Sequence, residues 1–69
     1  MTEFKLHGKE YIELNDLLKV TGLSESGGMA KTAIADGRVT VDGHSELHRR
    51  FKIRAGHIVC FEGRTITVT

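Results

Sequence analysis

The chain has 69 residues, of which 39% are apolar and 28% charged, and its formal net charge is +1. A chain of this length buries only about 60% of the surface that its unfolded form exposes, so it can form one thin core but hardly a deep catalytic cleft. No apolar run approaches the roughly 18 residues that a membrane-spanning helix requires, which argues against a membrane protein.

We therefore expect a single cytoplasmic domain spanning residues 1–69. The first eight residues include Glu3 and lack the apolar segment of a signal peptide. Cys60 is the one cysteine, so an internal disulfide is excluded, as is usual in a reducing compartment.

The first predicted element is a short N-terminal hairpin. Phe4 and Leu6 alternate with polar residues, as in a strand. A turn at residues 7–9 would then bring Tyr11 and Ile12 back beside them.

Two helices are predicted next. Apolar residues with helical spacing indicate a first helix over about residues 14–21, and Gly22 stands where a helix commonly ends. A second helix is predicted over about residues 25–36, with Ser24 as its N-cap and alanines on the face that packs against the first helix.

Beyond the helices the spacing of apolar residues changes from helical to alternating. Residues 38–41 read as a strand, and Asp42-Gly43 is a strong signal for a tight turn. A final hairpin is predicted from residues 57–61 and 64–68, and its inward set is Val59, Phe61, Ile66 and Val68. The expected fold class is therefore α+β, with two packed helices followed by a small, mostly antiparallel sheet.

This order of signals resembles the S-four domain, a module named after small-subunit ribosomal protein S-four. The resemblance covers roughly two-thirds of the chain, and its most specific part is Gly-x-Val-x-Val-Asp-Gly after an alanine-rich helix. The matching positions are Leu14, Leu17, Leu18, Gly22, Leu23, Ser24, Ser26, Ala30, Ile34, Gly37, Val39, Val41, Asp42, Gly43, Lys52, Ile53, Gly56 and Val59. Residues 24–27 and the basic stretch near Arg49 further resemble small bacterial stand-alone members of the YbcJ type.

The resemblance implies an αL motif that binds structured RNA through the helix pair and the turn after it. Carried over by position, the family's surface includes Ser26, Lys31, Arg38, Asp42, Gly43 and Lys52. The chain departs from the family pattern at Glu13 and at residues 27–29, where many members carry basic residues. These departures move the predicted contact towards residues 44–54.

Charge along the chain supports a polyanionic partner. Residues 1–37 carry four lysines and six acidic residues, whereas residues 38–69 carry six basic and three acidic residues. Four of those six cations fall within residues 49–54, where they suit phosphate binding, although charge alone favours an ordinary solvated loop. The complete predicted nucleic-acid-binding set is Ser26, Gly27, Lys31, Arg38, Asp42, Gly43, His44, Arg49, Arg50, Lys52 and Arg54.

Other chemistry receives little support from the sequence. The four histidines lack the clustered cysteine or acidic partners of a metal site, and Cys60 has no base beside it in the sequence. We therefore expect no metal, no cofactor and no enzymatic activity. Most aromatic residues are assigned to the core, and Phe51 is left open between core anchoring and base stacking.

The expected function is that of a monomeric RNA-binding accessory protein that recognises structured RNA, with ribosomal RNA as one candidate, through shape and phosphate contacts. The alternative is a protein-interaction adaptor that does not touch RNA directly.

Overall fold

The computed structural model describes residues 2–69, which form two helices and seven strands. The helices are α1 (Leu14–Val20) and α2 (Gly27–Ala35). The strands, in chain order, are β1 (Thr2–Phe4), β2 (Ile12–Glu13), β3 (Val39–Val41), β4 (His44–Ser45), β5 (Lys52–Ile53), β6 (Ile58–Phe61) and β7 (Arg64–Val68). Within this described part of the chain, no helix is long and apolar enough to cross a membrane.

The strands form two sheets. The larger sheet has the order β1-β7-β6-β3-β4, in which β1 runs parallel to β7 and the other neighbours are antiparallel. The smaller sheet is the antiparallel pair β2-β5. Two helices and a mostly antiparallel sheet confirm the predicted α+β fold class.

The predicted N-terminal hairpin is wrong. A turn does lie at His7 and Gly8, but β1 pairs with β7, with Thr2 opposite Ile66, and β2 pairs with β5. Leu6 extends the pairing of β1 with β7, because its amide donates to the carbonyl of Thr69 at 2.9 Å. Alternation in the sequence identifies a strand, but the partner of that strand is set by the tertiary fold.

The start of α2 also differs from the prediction. Ser26, and not Ser24, is the N-cap, and its Oγ accepts a hydrogen bond from the Met29 amide at 3.2 Å. The Ser24 amide instead donates to the Leu18 carbonyl, so Ser24 belongs to the end of α1. Its buried hydroxyl donates to the Ser26 carbonyl at 2.8 Å.

One hydrophobic core joins the helices to both sheets. Helix α1 contributes three leucines, and α2 contributes the alanine face predicted from the sequence. The predicted inward residues of the last hairpin are all buried, which confirms that part of the pattern. The core comprises Leu6, Leu14, Leu17, Leu18, Ala30, Ala33, Ile34, Val39, Val41, Ile53, Val59, Phe61, Ile66 and Val68.

The turn between β3 and β4 has the backbone that its sequence predicts. Asp42 has φ of 53° and Gly43 has φ of 86°, as in the tight turns that join antiparallel strands. A side chain at position 43 would find open space, because no atom lies within 4 Å of a Cβ built there. Substitution of Gly43 therefore affects the backbone conformation alone.

We expect Gly43→Val to lower the free energy of unfolding by about 1–2 kcal/mol, the usual strain of an L-residue in the left-handed region. Chemical denaturation measures the loss. Gly43→Asn is the matched control and should lose less, because asparagine tolerates this conformation. Equal stability of Gly43→Val and the wild type would show that the turn does not constrain the fold.

Candidate nucleic-acid interface

Residues 49–54, here called the basic segment, are fixed to the start of α1 by backbone hydrogen bonds. The Leu14 amide donates to the Phe51 carbonyl and the Asn15 amide donates to the Arg49 carbonyl, each at 3.0 Å. Strand β5 continues the attachment, with Ile53 opposite Ile12 of β2. These contacts hold the backbone of the basic segment against the fold.

Apolar and basic side chains alternate within the basic segment. Ile53 is fully buried and Phe51 is partly buried against the core. The four cations, Arg49, Arg50, Lys52 and Arg54, are all exposed. The core side chains thus anchor the segment while its positive charges face solvent.

The positive charges of the basic segment are not neutralised by nearby carboxylates. Within residues 2–69, ion pairs join Lys19 to Asp16, Arg38 to Asp36 and Glu62, His48 to Glu46, and His57 to Asp42. None of these pairs includes a member of the basic segment. Four exposed cations within six residues therefore remain available to an external anion.

Two of these cations lie beside Tyr11. The Nζ of Lys52 is 5.0 Å from the centroid of the Tyr11 ring, and the Cζ of Arg54 is 5.7 Å from it. Both distances are within the range of cation–π attraction. Tyr11 was expected in the N-terminal hairpin and was given no part in binding. Lys52 begins β5 and Arg54 directly follows this strand, so their side chains share one face with their cross-strand neighbours.

The Asp42-Gly43 turn is connected to the basic segment through His57. The carboxylate of Asp42 accepts hydrogen bonds from the Ile58 amide at 2.9 Å and, through its second oxygen, from the Nδ1 of His57 at 2.8 Å. The His57 ring in turn makes an edge-to-face contact with Phe51, with centroids 6.0 Å apart. This chain of contacts connects the turn to Phe51 of the basic segment.

Asp42 is thus placed to shape the turn. The hydrogen bond from the Ile58 amide and that from His57 lower the pKa of the Asp42 carboxyl below its ordinary value of 3.8. Its exposed neighbours Gly43 and His44 have their side-chain positions open to solvent. The sequence gives no sign of this contact, because Asp42 lies fifteen residues from His57 along the chain.

The lowered pKa of Asp42 predicts a loss of stability in acid. The folded protein releases the Asp42 proton more readily than the unfolded chain, so this contribution is present above pH 3.8 and is lost as the pH falls through the lower, folded pKa. We expect Asp42→Asn to unfold more easily than the wild type at neutral pH, with a difference that shrinks below pH 3.8. Thermal unfolding as a function of pH measures this.

The control for the acid prediction is Glu25→Gln. Glu25 is exposed and has no ion pair within residues 2–69. Its substitution should leave the pH dependence of the wild type intact. A constant difference between Asp42→Asn and the wild type across the acid range would contradict the assigned hydrogen bonds.

The remaining predicted residues lie elsewhere. Ser26 and Gly27 are at the start of α2, and Lys31 is exposed on that helix without an ion pair in the described chain. Arg38 binds Glu62 at 3.2 Å and lies over the Phe61 ring, so its charge is already compensated.

Arg38 and Asp42 flank opposite ends of β3, about 13 Å apart at the spacing of an extended chain. The structure therefore divides the predicted set into two groups. The first comprises the turn and the basic segment, with Asp42, Gly43, His44, Arg49, Arg50, Lys52 and Arg54. The second comprises Ser26, Gly27, Lys31 and Arg38.

The histidines are the remaining candidates for metal coordination. Within residues 2–69, no three histidine, cysteine, aspartate or glutamate side chains are grouped as metal ligands would be. Two of the four histidines have carboxylate partners, with His48 Nδ1 at 2.9 Å from Glu46 and His57 bound to Asp42. Burial raises the pKa of Glu46, but the hydrogen bonds from the His48 side chain and amide outweigh this and lower it overall.

The chain belongs to the S4 domain family, the S-four family that its motifs resemble, because the family's model matches residues 4–69. Among individual proteins, it is 50% identical over 68 residues to YbcJ of Escherichia coli K12, whose name marks RNA binding as its expected role. That match covers 99% of this chain and 97% of YbcJ. A Shigella flexneri protein, also named YbcJ, matches to the same extent.

The fold of this chain is also similar to that of a solved relative. The solution structure of E. coli YbcJ superposes with a TM-score of 0.77 at 49% identity, covering 100% of this chain and 87% of the other. That structure is described as revealing an αL motif involved in RNA binding. The two similarities cover 99% and 100% of the present chain.

Proposed function

We propose that this protein binds structured RNA, and that the basic segment and the Asp42-Gly43 turn form the centre of the contact. The observation that carries the proposal is the group of four exposed cations, Arg49, Arg50, Lys52 and Arg54, which lack carboxylate partners within residues 2–69. Membership of the S4 domain family and the reported role of the YbcJ motif support the same function.

The mechanism is electrostatic capture on a preformed surface. Each cation that meets a phosphate releases condensed counterions, which is the main source of affinity for a polyanion. Arginine adds a planar pair of donors that matches two phosphate oxygens. Because the backbone of the basic segment is fixed to α1 and β2, little backbone conformational entropy is lost there on binding.

The second group of predicted residues takes a secondary place in this proposal. Ser26 and Gly27 supply backbone at a helix start, and Lys31 supplies one further cation. Arg38 must leave Glu62 before it can bind a phosphate, so its contribution is offset by the loss of that pair. These residues extend the interface without setting its affinity.

Finer features of the proposal are a monomer of one domain, residence in the cytoplasm, and no catalytic step. The unpaired Cys60 fits a reducing compartment.

Ribosomal RNA is the first structured RNA to test. Co-sedimentation with ribosomal subunits in density gradients, with and without nuclease, would identify it, whereas exclusive migration with the free protein would exclude it.

Binding to a structured RNA at a series of salt concentrations tests the proposed function. If all four cations meet phosphates, the logarithm of the association constant should fall against the logarithm of salt concentration with a slope of about −2.8 to −3.6. Absence of binding, together with capture of a protein partner that survives nuclease treatment, would contradict the proposal in favour of an adaptor.

A further inference from the structure

Tyr11, Lys52 and Arg54, here called the Tyr11 cluster, occupy the outer face of the β2-β5 pair. Ile12 and Ile53 face each other and pack on the core. Continuing this register by one residue places Tyr11 across from Arg54. The outer face of the pair therefore presents an aromatic ring with two cations beside it.

Tyr11 is the most exposed of the phenylalanine and tyrosine side chains of residues 2–69. Tyr11 is 36% exposed, whereas Phe61 is buried and Phe4 and Phe51 pack against the core. Phe51 was the residue considered for base stacking on sequence grounds, but its ring contacts the core and His57. Among the phenylalanine and tyrosine rings, Tyr11 is therefore the one placed to stack on a base.

The cations of the Tyr11 cluster are also available. Glu13 is directly opposite Lys52 in the register, yet no ion pair joins them, and Lys52 and Arg54 approach the ring instead. Both cations lie over the ring in the free protein, so each must move aside to a phosphate before a base can stack on the face that it covers. An exposed aromatic ring with two nearby cations that lack carboxylate partners is a combination that binds an unstacked nucleotide. The ring takes the base, and the cations take the phosphates on either side.

We propose that Tyr11 stacks on an unpaired base of the bound RNA, with Lys52 and Arg54 binding its flanking phosphates; this inference rests on the RNA-binding function proposed above. The preferred ligand is then a structured RNA that carries a loop, bulge or frayed end. Bases within an A-form duplex are stacked on one another and cannot present a free face to the ring.

The test compares two RNAs of equal phosphate number, one a hairpin with an unpaired loop and the other a blunt duplex. Tyr11→Ala should weaken hairpin binding by about 5- to 150-fold, the range of a single lost base-stacking contact, and should leave duplex binding unchanged. The salt dependence should not change, because no charge is removed. Tyr11→Phe should bind both RNAs as the wild type does.

Tyr11→Trp adds a direct readout, because the chain contains no tryptophan of its own. Its fluorescence should be quenched by the hairpin and not by the duplex. If Tyr11→Ala fails to fold, the fluorescence of Tyr11→Trp still tests whether the side chain at position 11 stacks on a base. Unchanged fluorescence at saturating hairpin would overturn the stacking proposal.

The outcomes separate this inference from the function on which it rests. If Tyr11→Ala weakens hairpin and duplex binding equally, or changes neither, the stacking proposal is wrong while RNA binding by the wild type stands. If the wild-type protein binds neither RNA, the proposed function itself fails.

Discussion

Replacing Arg49 and Arg50 together by alanine is expected to weaken binding to structured RNA by about 25- to 60-fold at 0.1 M salt. Loss of two phosphate contacts should reduce the slope of log affinity against log salt by about 1.4–1.8, and the two proteins should converge near 1 M salt. Both side chains are exposed and neither has an ion pair in the described chain, so the variant should remain folded. A salt-dependent binding titration with a melting curve measures both expectations.

The matched control replaces Lys31 and Arg64 by alanine. It removes the same two charges from exposed positions outside the turn and the basic segment. Its effect should be several-fold smaller than that of the Arg49 and Arg50 variant. Equal effects would mean that RNA responds to net charge alone, and a larger effect of the control would move the interface towards α2.

Ile53→Ala is expected to cause the largest loss of stability. Ile53 is fully buried, and its truncation removes apolar contacts and leaves a cavity, which together typically cost about 2–5 kcal/mol. A protein of this size has a total stability of only roughly 3–10 kcal/mol at the usual value per residue. Chemical denaturation should therefore show the variant at the edge of unfolding at room temperature.

Ile53→Val is the control for Ile53→Ala. It keeps a branched apolar side chain at the same position and should cost about 0.5–1.5 kcal/mol. Because Lys52 and Arg54 are exposed on either side, the valine variant should bind RNA with unchanged affinity once folded. If Ile53→Ala is as stable as the valine variant, the basic segment is not anchored to the core as described.

Local signals predicted much of the fold. The leucines of α1, the alanine face of α2 and the turns at Asp42-Gly43 and Glu62-Gly63 each depend on residues that are close together in the sequence. The family motif then joined these elements into an order that the structure confirms.

Pairings between distant segments escaped sequence reasoning. Thr2 pairs with Ile66 near the other end of the chain, and Ile12 pairs with Ile53, and no local pattern encodes either choice. The N-cap was misassigned because Ser24 and Ser26 are equally good capping residues. Two hydrogen bonds separate them: the Ser26 Oγ accepts from the Met29 amide, whereas the Ser24 amide donates to Leu18.

The residues of the candidate site likewise divide into those that the sequence reveals and those that only the fold brings together. The basic segment is visible in the sequence as a run of cations, and its involvement in RNA binding stays a prediction. Tyr11 joins that segment only through the β2-β5 pairing, and His57 meets Asp42 only through the register of β3 and β6. Such contacts arise from tertiary structure, so residue type and spacing alone do not reveal them.

Amide chemical shifts of the labelled protein during titration with an RNA hairpin test the central claim most directly. We expect the shifts to concentrate on the Asp42-Gly43 turn, the basic segment and Tyr11, and to diminish as salt is raised. Shifts confined to residues 26–38, or no shifts at RNA concentrations that saturate binding in solution, would contradict an interface centred on the basic segment.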